Sequence, residues 1–222
     1  MAQRPPSETP PTDDTSDGPA QAKPSRIQKR NRALILEAAL DVFSQEGYRG
    51  ATLDQIAQGS GLSKPNILYY FNGKEEIHVT LLNQLMDRWL DPMRQIDPQG
   101  EPLEELLRYV ARKLQMSRDY PRESRLFANE ILQGAPRMGP HLEAVLKPLV
   151  DDTAVVIQGW IDAGKLAPTE PRHLIFSIWA TTQHYADFEV QVSVLDGSPT
   201  RDATAEAFLR TLYTRLLRPE GR

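Results

Sequence analysis

The 222-residue sequence contains no cysteine. That absence excludes disulfides, thiolate nucleophiles and cysteine-ligated zinc sites, and it fits a cytoplasmic protein. There is also no apolar run of the roughly 18 residues that a membrane span requires. The N-terminus lacks the apolar stretch of a secretory leader, so neither a membrane partner nor export is expected. No strand-type alternation of apolar and polar residues stands out, and no segment repeats. Only 4 histidines are present, none in an HExxH arrangement, and no G-x-S-x-G elbow occurs. What remains is a chain that is 40% hydrophobic, sufficient for a buried core.

The formal net charge of −4 argues at first against a nucleic-acid partner, but the charge is uneven. Residues 26–74 carry seven Lys or Arg (26, 29, 30, 32, 49, 64 and 74) against four acids (37, 41, 46 and 54), a net +3. A basic module of this kind can approach phosphates while an acidic body keeps the molecule soluble. Residues 1–25 are rich in Pro, Thr, Asp and Ser and poor in large apolar side chains. They cannot bury enough surface to offset their ordering entropy, so a disordered tail is expected there.

From Ile27 onward the apolar residues fall at helical spacing. Ile35, Ala38, Ala39, Val42 and Phe43 form one face of a helix over about 27–46, closed by Gly47. Thr52 and Gln55 form a capping box for a short helix over about 53–58, which Gly59 and Gly61 are expected to stop. Ser63 caps a third helix running to about Tyr70, with Pro65 in its first turn, where a missing N–H is tolerated. Two short helices joined by a Gly-containing turn predict a helix-turn-helix over residues 26–73. Residues 74–222 then form a second domain. A long helix is expected over about 74–96, with Ile77, Leu81, Leu85, Trp89 and Met93 in line. Further helices are expected at 102–118, 122–133, 140–163, 171–188 and 201–217, bounded by Gly and Pro clusters. The fold class is all-α: a three-helix DNA-binding domain followed by a larger helical domain.

These residues carry a resemblance. Ile35-Leu36, Ala38-Ala39, Phe43, Glu46-Gly47-Tyr48, Thr52, Ile56-Ala57, Gly61-Leu62-Ser63-Lys64, Tyr70-Phe71 and Lys74-Glu75 stand at the spacing of the DNA-binding signature of the tetracycline-repressor (TetR) family. Further along, Ser117-Arg118-Asp119-Tyr120-Pro121, Gly134-Ala135-Pro136 and Gly164-Lys165-Leu166-Ala167-Pro168 resemble the branch of that family that represses pyrimidine utilisation. So does the run Ile178-Trp179-Ala180 through Thr182-Gln183-His184-Tyr185-Ala186-Asp187-Phe188. The resemblance implies a homodimeric repressor that binds double-stranded operator DNA and responds to uracil or thymine, with no cofactor. The sequence departs from the family at Leu68, where a Tyr is usual. Leu68 cannot donate to a phosphate, and Tyr69 stands beside it as the alternative donor.

In a helix-turn-helix the second short helix enters the major groove with its first residues at the base edges. That assigns Ser63, Lys64, Asn66 and Tyr69 to DNA. Lys64 suits guanine or a phosphate, and Asn66 suits adenine. Thr52 and Lys74, at helix starts flanking the groove, are assigned to backbone phosphates, as are Arg30 and Arg32. A flat, polar effector needs an aromatic slot and a group matching its imide edge. The Gln183 amide is both donor and acceptor. Trp179 precedes it by one helical turn, and Trp89 and Phe127 from two other helices are candidates to close the slot. Dimerisation is expected through the stripes Ile175, Ile178, Trp179, Thr182 and Ala186 and Ala205, Phe208, Leu209, Leu212 and Leu216.

Two rival readings stand beside this one. In the first, the same regulator takes another small aromatic or acyl effector. The second is a helical enzyme, but His173 and His184, eleven residues apart, do not make a tight metal pair. Asp151-Asp152 and Glu104-Glu105 read as solvated faces.

Overall fold

A computed structural model describes residues 25–198 and 201–219. The tail expected over 1–25 lies outside these, apart from Ser25. That residue belongs to the first helix: Ser25 and Gln28 form a reciprocal capping box (2.8 and 3.2 Å) that starts α1 (Arg26–Gly50). Helical geometry in α1 breaks at Gly47, whose φ of +65° is one that side-chain-bearing residues seldom adopt.

The capping box at Thr52 forms as expected. The Gln55 N–H donates to Thr52 Oγ1 (3.2 Å) and the Thr52 N–H donates to Gln55 Oε1 (2.8 Å), opening α2 (Leu53–Ser60). Gly59 does not stop this helix. It lies within α2, where a Cβ would come 3.2 Å from the Ala38 Cβ, so its lack of a side chain lets α1 and α2 pack closely. The stop belongs to Gly61, in the left-handed region (φ +67°). Ser63 then caps α3 (Lys64–Tyr70).

The long α4 (Lys74–Arg94) buries Ile77, Leu81, Leu85, Trp89 and Met93 along one stripe. It is followed by α5 (Pro102–Asp119) and α6 (Pro121–Leu132). The single helix expected over 140–163 is interrupted. A short α7 (Gly139–His141) leads through a π-helical turn (Leu142–Leu146) into α8 (Lys147–Asp162). Pro148 accounts for the wider turn, because its ring would clash with the Ala144 carbonyl in a regular helix. After α9 (Pro171–Asp187) comes α10 (Glu189–Leu195), which was not anticipated, and α11 (Arg201–Leu217).

Two apolar cores result. Phe43, Ile35, Ile56 and Ile67 centre the first, where α1, α2 and α3 close on the start of α4. Ile157, Ile178, Tyr213 and Leu217 centre the second, built from α5, α8, α9 and α11. A smaller cluster of Leu85, Trp89 and Met116 sits between them, with Phe127 packed against it. The α9 stripe named above for dimerisation is largely inside the chain: Ile175, Ile178, Thr182 and Ala186 are buried. On α11, Ala205 and Leu209 are buried but Phe208, Leu212 and Leu216 remain exposed. No helix among the described residues is long and apolar enough to cross a membrane.

Candidate nucleic-acid interface and sensor cavity

The short α3 buries Ile67 and leaves Ser63, Lys64, Asn66, Leu68 and Tyr69 exposed. Tyr69 is 71% exposed. It is nonetheless held in place. Its ring meets Tyr70 edge-on at 5.0 Å, and its hydroxyl accepts from Gln28 Nε2 (3.3 Å). Asn31 Nδ2 donates to the Tyr70 hydroxyl (3.0 Å), so α1 braces the far end of α3 at two points. Neither Gln28 nor Asn31 was singled out from sequence. At the other end Lys64 pairs with Asp54 of α2 at 3.1 Å, in water-exposed surroundings where such a pair is weak and exchangeable.

The flanking cations are placed unequally. Arg30 is exposed on α1. Arg32 lies 4.2 Å over the Phe71 ring and donates to the Tyr70 carbonyl (3.4 Å). Thr52 is exposed at the start of α2. Lys74 is committed within the fold: its ammonium donates to the carbonyls of Tyr48 and Ala51, each at 2.7 Å, and lies 4.5 Å from the centre of the Tyr48 ring. It fastens the start of α4 to the α1–α2 connection.

The four residues assigned to the effector come together. Trp89 of α4, Phe127 of α6, and Trp179 and Gln183 of α9 line a single cavity. Trp89 and Phe127 meet edge to face at 5.6 Å. The free space is about 40 Å³, enough for water but less than an aromatic ring needs, so a ligand must part these walls. Two further lining residues come from α5, Tyr109 and Lys113. Trp179 Nε1 donates to the Tyr109 hydroxyl (2.7 Å), and burial raises the Tyr109 pKa, keeping it a neutral phenol. The sequence signal for Lys113 was a charged residue on an otherwise apolar stripe of α5. The histidines are scattered. His173 meets Phe176 edge-on, and His184 stacks on Phe188.

Two joints connect the cavity wall to the DNA-facing end. On α6, Arg122 pairs with Glu37 (2.8 Å) and Asp41 (2.5 Å) of α1. Glu130, also of α6 and buried, pairs with Arg137 (3.3 Å), whose guanidinium stacks 3.4 Å over the Tyr48 ring and approaches Glu75 of α4 (3.5 Å). Beneath this joint His78 is buried between Phe43 and Tyr48, with Nδ1 lacking a partner. Burial, with help from the Arg137 and Lys74 charges, pushes its pKa down to about 4.

A braced, exposed α3 behind a capped α2, joined by one long helix to a second helical region with a small, partly open cavity, defines a helix-turn-helix transcriptional regulator. The family of bacterial regulatory proteins of the tetR type matches residues 35–79, and the C-terminal region of YcdC-like proteins matches residues 82–220. The chain belongs to the TetR family. It is 48% identical over 180 residues to the HTH-type transcriptional regulator RutR of Escherichia coli K12, covering 81% of this chain and 85% of that protein. Solved structures agree on the fold. A TetR-like regulator from Rhodococcus sp. RHA1 superposes with a TM-score of 0.64 at 21% identity, over 87% of this chain and 97% of that one. AibR, solved with isovaleryl coenzyme A and operator DNA, gives 0.64 at 19% identity, over 86% and 99%.

Proposed function

We propose that this protein is a cytoplasmic repressor that grips operator DNA as a homodimer and is released by uracil or thymine, so that pyrimidine breakdown is switched on when its substrate is present. Support comes first from the cavity. Trp89, Phe127, Trp179 and Gln183, chosen for their fit to a flat imide, come from three different helices and line one space. The 48% identity to RutR points the same way.

At the DNA end, Ser63, Lys64, Asn66 and Tyr69 face the groove. Asn66 reads adenine, Lys64 leaves Asp54 for a guanine or phosphate, and Thr52, Arg30 and Arg32 take backbone phosphates. Lys74 acts there indirectly, by holding the helix start whose unpaired amides attract a phosphate. Phe208, Leu212 and Leu216 on α11, with Phe176 on α9, offer the apolar surface for a partner copy. Two-fold pairing sets the recognition helices about 34–36 Å apart, one turn of DNA.

The effector works by differential binding. Because the cavity holds only about 40 Å³, a ligand must push Trp89 on α4 and Phe127 on α6, and both helices are tied to α1. Operator and ligand then weaken each other by the same factor, typically about 1–3 kcal/mol. Gel retardation of the protein's own upstream DNA tests this. A retarded band that uracil or thymine dissolves is expected; retardation insensitive to both bases would transfer the cavity to another aromatic or acyl effector. Failure to retard any promoter would remove the DNA reading.

A further inference from the structure

The cavity holds more hydrogen-bond donors than acceptors. Lys113 is only 5% exposed, and its ammonium lies 4.5 Å over the face of the Trp89 ring. The carboxylate whose charge it feels, Asp187, is bonded instead to the Ser124 hydroxyl at 2.5 Å. The Trp89 indole N–H is buried and has no acceptor. The Tyr109 oxygen already accepts from Trp179, which leaves its own O–H to give. Against these donors, Gln183 supplies the one amide oxygen among the lining side chains. A buried ammonium met only by a ring face and the longer-range charge of Asp187, with no ion pair of its own, is expensive unless something in the cavity bonds it. Desolvation lowers the Lys113 pKa to about 8, which still leaves most of it charged at neutral pH.

We infer that Lys113 is a ligand-binding residue whose ammonium takes a carbonyl oxygen of the effector, making the site selective for pyrimidine-2,4-diones over 4-aminopyrimidines. This rests on the reading of the cavity as a pyrimidine site. A 2,4-dione offers two carbonyls and two N–H groups. One N–H and one carbonyl match the Gln183 amide; the other carbonyl is left for a donor. Replacing that carbonyl by an amino group sets donor against donor and leaves a desolvated charge unanswered. Sites built to bond one polar group reject analogues lacking it far more strongly than apolar pockets reject a change of size.

The test is calorimetric titration of uracil and cytosine into the wild-type protein, Lys113→Met and Lys113→Gln. The wild type is expected to prefer uracil by about 100-fold or more. Lys113→Met keeps the length of the apolar stem and removes a buried charge. It should melt no lower than wild type and retain operator binding, yet lose about thirtyfold or more in uracil affinity and bring the two bases within about threefold. Lys113→Gln, still a donor, should restore part of the preference. Wild-type uracil affinity in Lys113→Met would sink the assignment while leaving the effector reading intact. Equal losses for both bases would reduce Lys113 to packing and also overturn it. A wild-type protein that binds no uracil would overturn the effector reading and this inference together.

Discussion

In the helix-turn-helix end of the molecule, Phe43, Ile35, Ile56 and Ile67 are completely enclosed, and the starts of α2 and α3 beside them are capped within their own helices, while His78 against Phe43 keeps a buried Nδ1 without a partner. In the sensor end the core contains a buried ammonium, an indole N–H without an acceptor and a hydroxyl pair, Thr181 and Ser177, meeting the Tyr213 hydroxyl. The first is packed mainly from apolar side chains; the second places polar donors beside a cavity. A DNA reader must hold side chains at fixed spacing, and a mainly apolar, tightly enclosed core does that. A sensor must instead gain free energy from its ligand, and unsatisfied buried groups provide it.

The largest expected effect tests the mainly apolar half. Phe43 is 0% exposed and touches Tyr48 and His78 through ring contacts at 6.1 and 4.7 Å. Phe43→Ala should cost about 3–5 kcal/mol, because the surrounding helices are fastened by caps and by Lys74 and cannot collapse into the void. Urea denaturation measures it directly. A cost below about 1 kcal/mol, or one matched by Lys113→Met in the sensor core, would erase the distinction between the two regions.

Next in size is the acid response at the boundary between them. His78 titrates at about 4 in the folded protein against 6.5 for a free imidazole, because burial disfavours the charged ring. Between these values the unfolded chain takes up a proton that the folded one refuses. Stability is therefore full above about pH 6.5 and falls as the pH drops toward 4, by about 3 kcal/mol in total. His78→Phe replaces a ring whose Nδ1 has no partner with an apolar one. It should leave stability at pH 7 near wild type and flatten the fall below pH 6.5. Parallel pH profiles for the two proteins would show that His78 is not the group responsible.

Legibility divides along the same line. The Thr52–Gln55 box, the Ser63 cap and the stripe of α4 rest on neighbours within a few residues, so spacing alone locates them. Gly59 misled for the opposite reason. Its locally plausible role as a stop loses to a contact with Ala38, twenty-one residues away. Lys74 reads as a free cation until the carbonyls of Tyr48 and Ala51 are brought to it. In the second region, the shared location of Trp89, Phe127, Trp179 and Gln183 agrees with the grouping made from sequence, where a flat ligand limits which side chains can serve. Tyr109 and Lys113 were not in that grouping, since the helix over 102–118 was placed only by its Gly and Pro boundaries, and a charged residue on it passes for a solvated one. The α10 segment, with Val190, Val194 and Leu195 exposed, carries no pattern that burial would have imposed.

The smallest effect on stability should be the most informative about how the two halves communicate. Arg122 leaves α6, the helix that carries Phe127, and reaches Glu37 and Asp41 on α1. The pair is partly solvated, so Arg122→Ala should cost only about 0.5–1 kcal/mol of stability. Operator affinity without ligand should stay near wild type, because α3 is braced by Gln28 and Asn31 rather than by α6. Uracil affinity of the free protein should also hold, because Arg122 is not among the residues lining the cavity. If uracil acts through the cavity as proposed, what should fall is the factor by which it weakens operator binding, since one of the two ion-pair joints between α6 and the helix-turn-helix end is cut while the Arg137 joint remains. Fluorescence anisotropy of labelled operator, titrated with protein at zero and saturating uracil, gives that factor directly. A several-fold loss of coupling with both affinities preserved places Arg122 in the transmission. An unchanged factor leaves α4 and Arg137 to carry it alone, and a loss of operator affinity itself would mean that α6 helps build the reader.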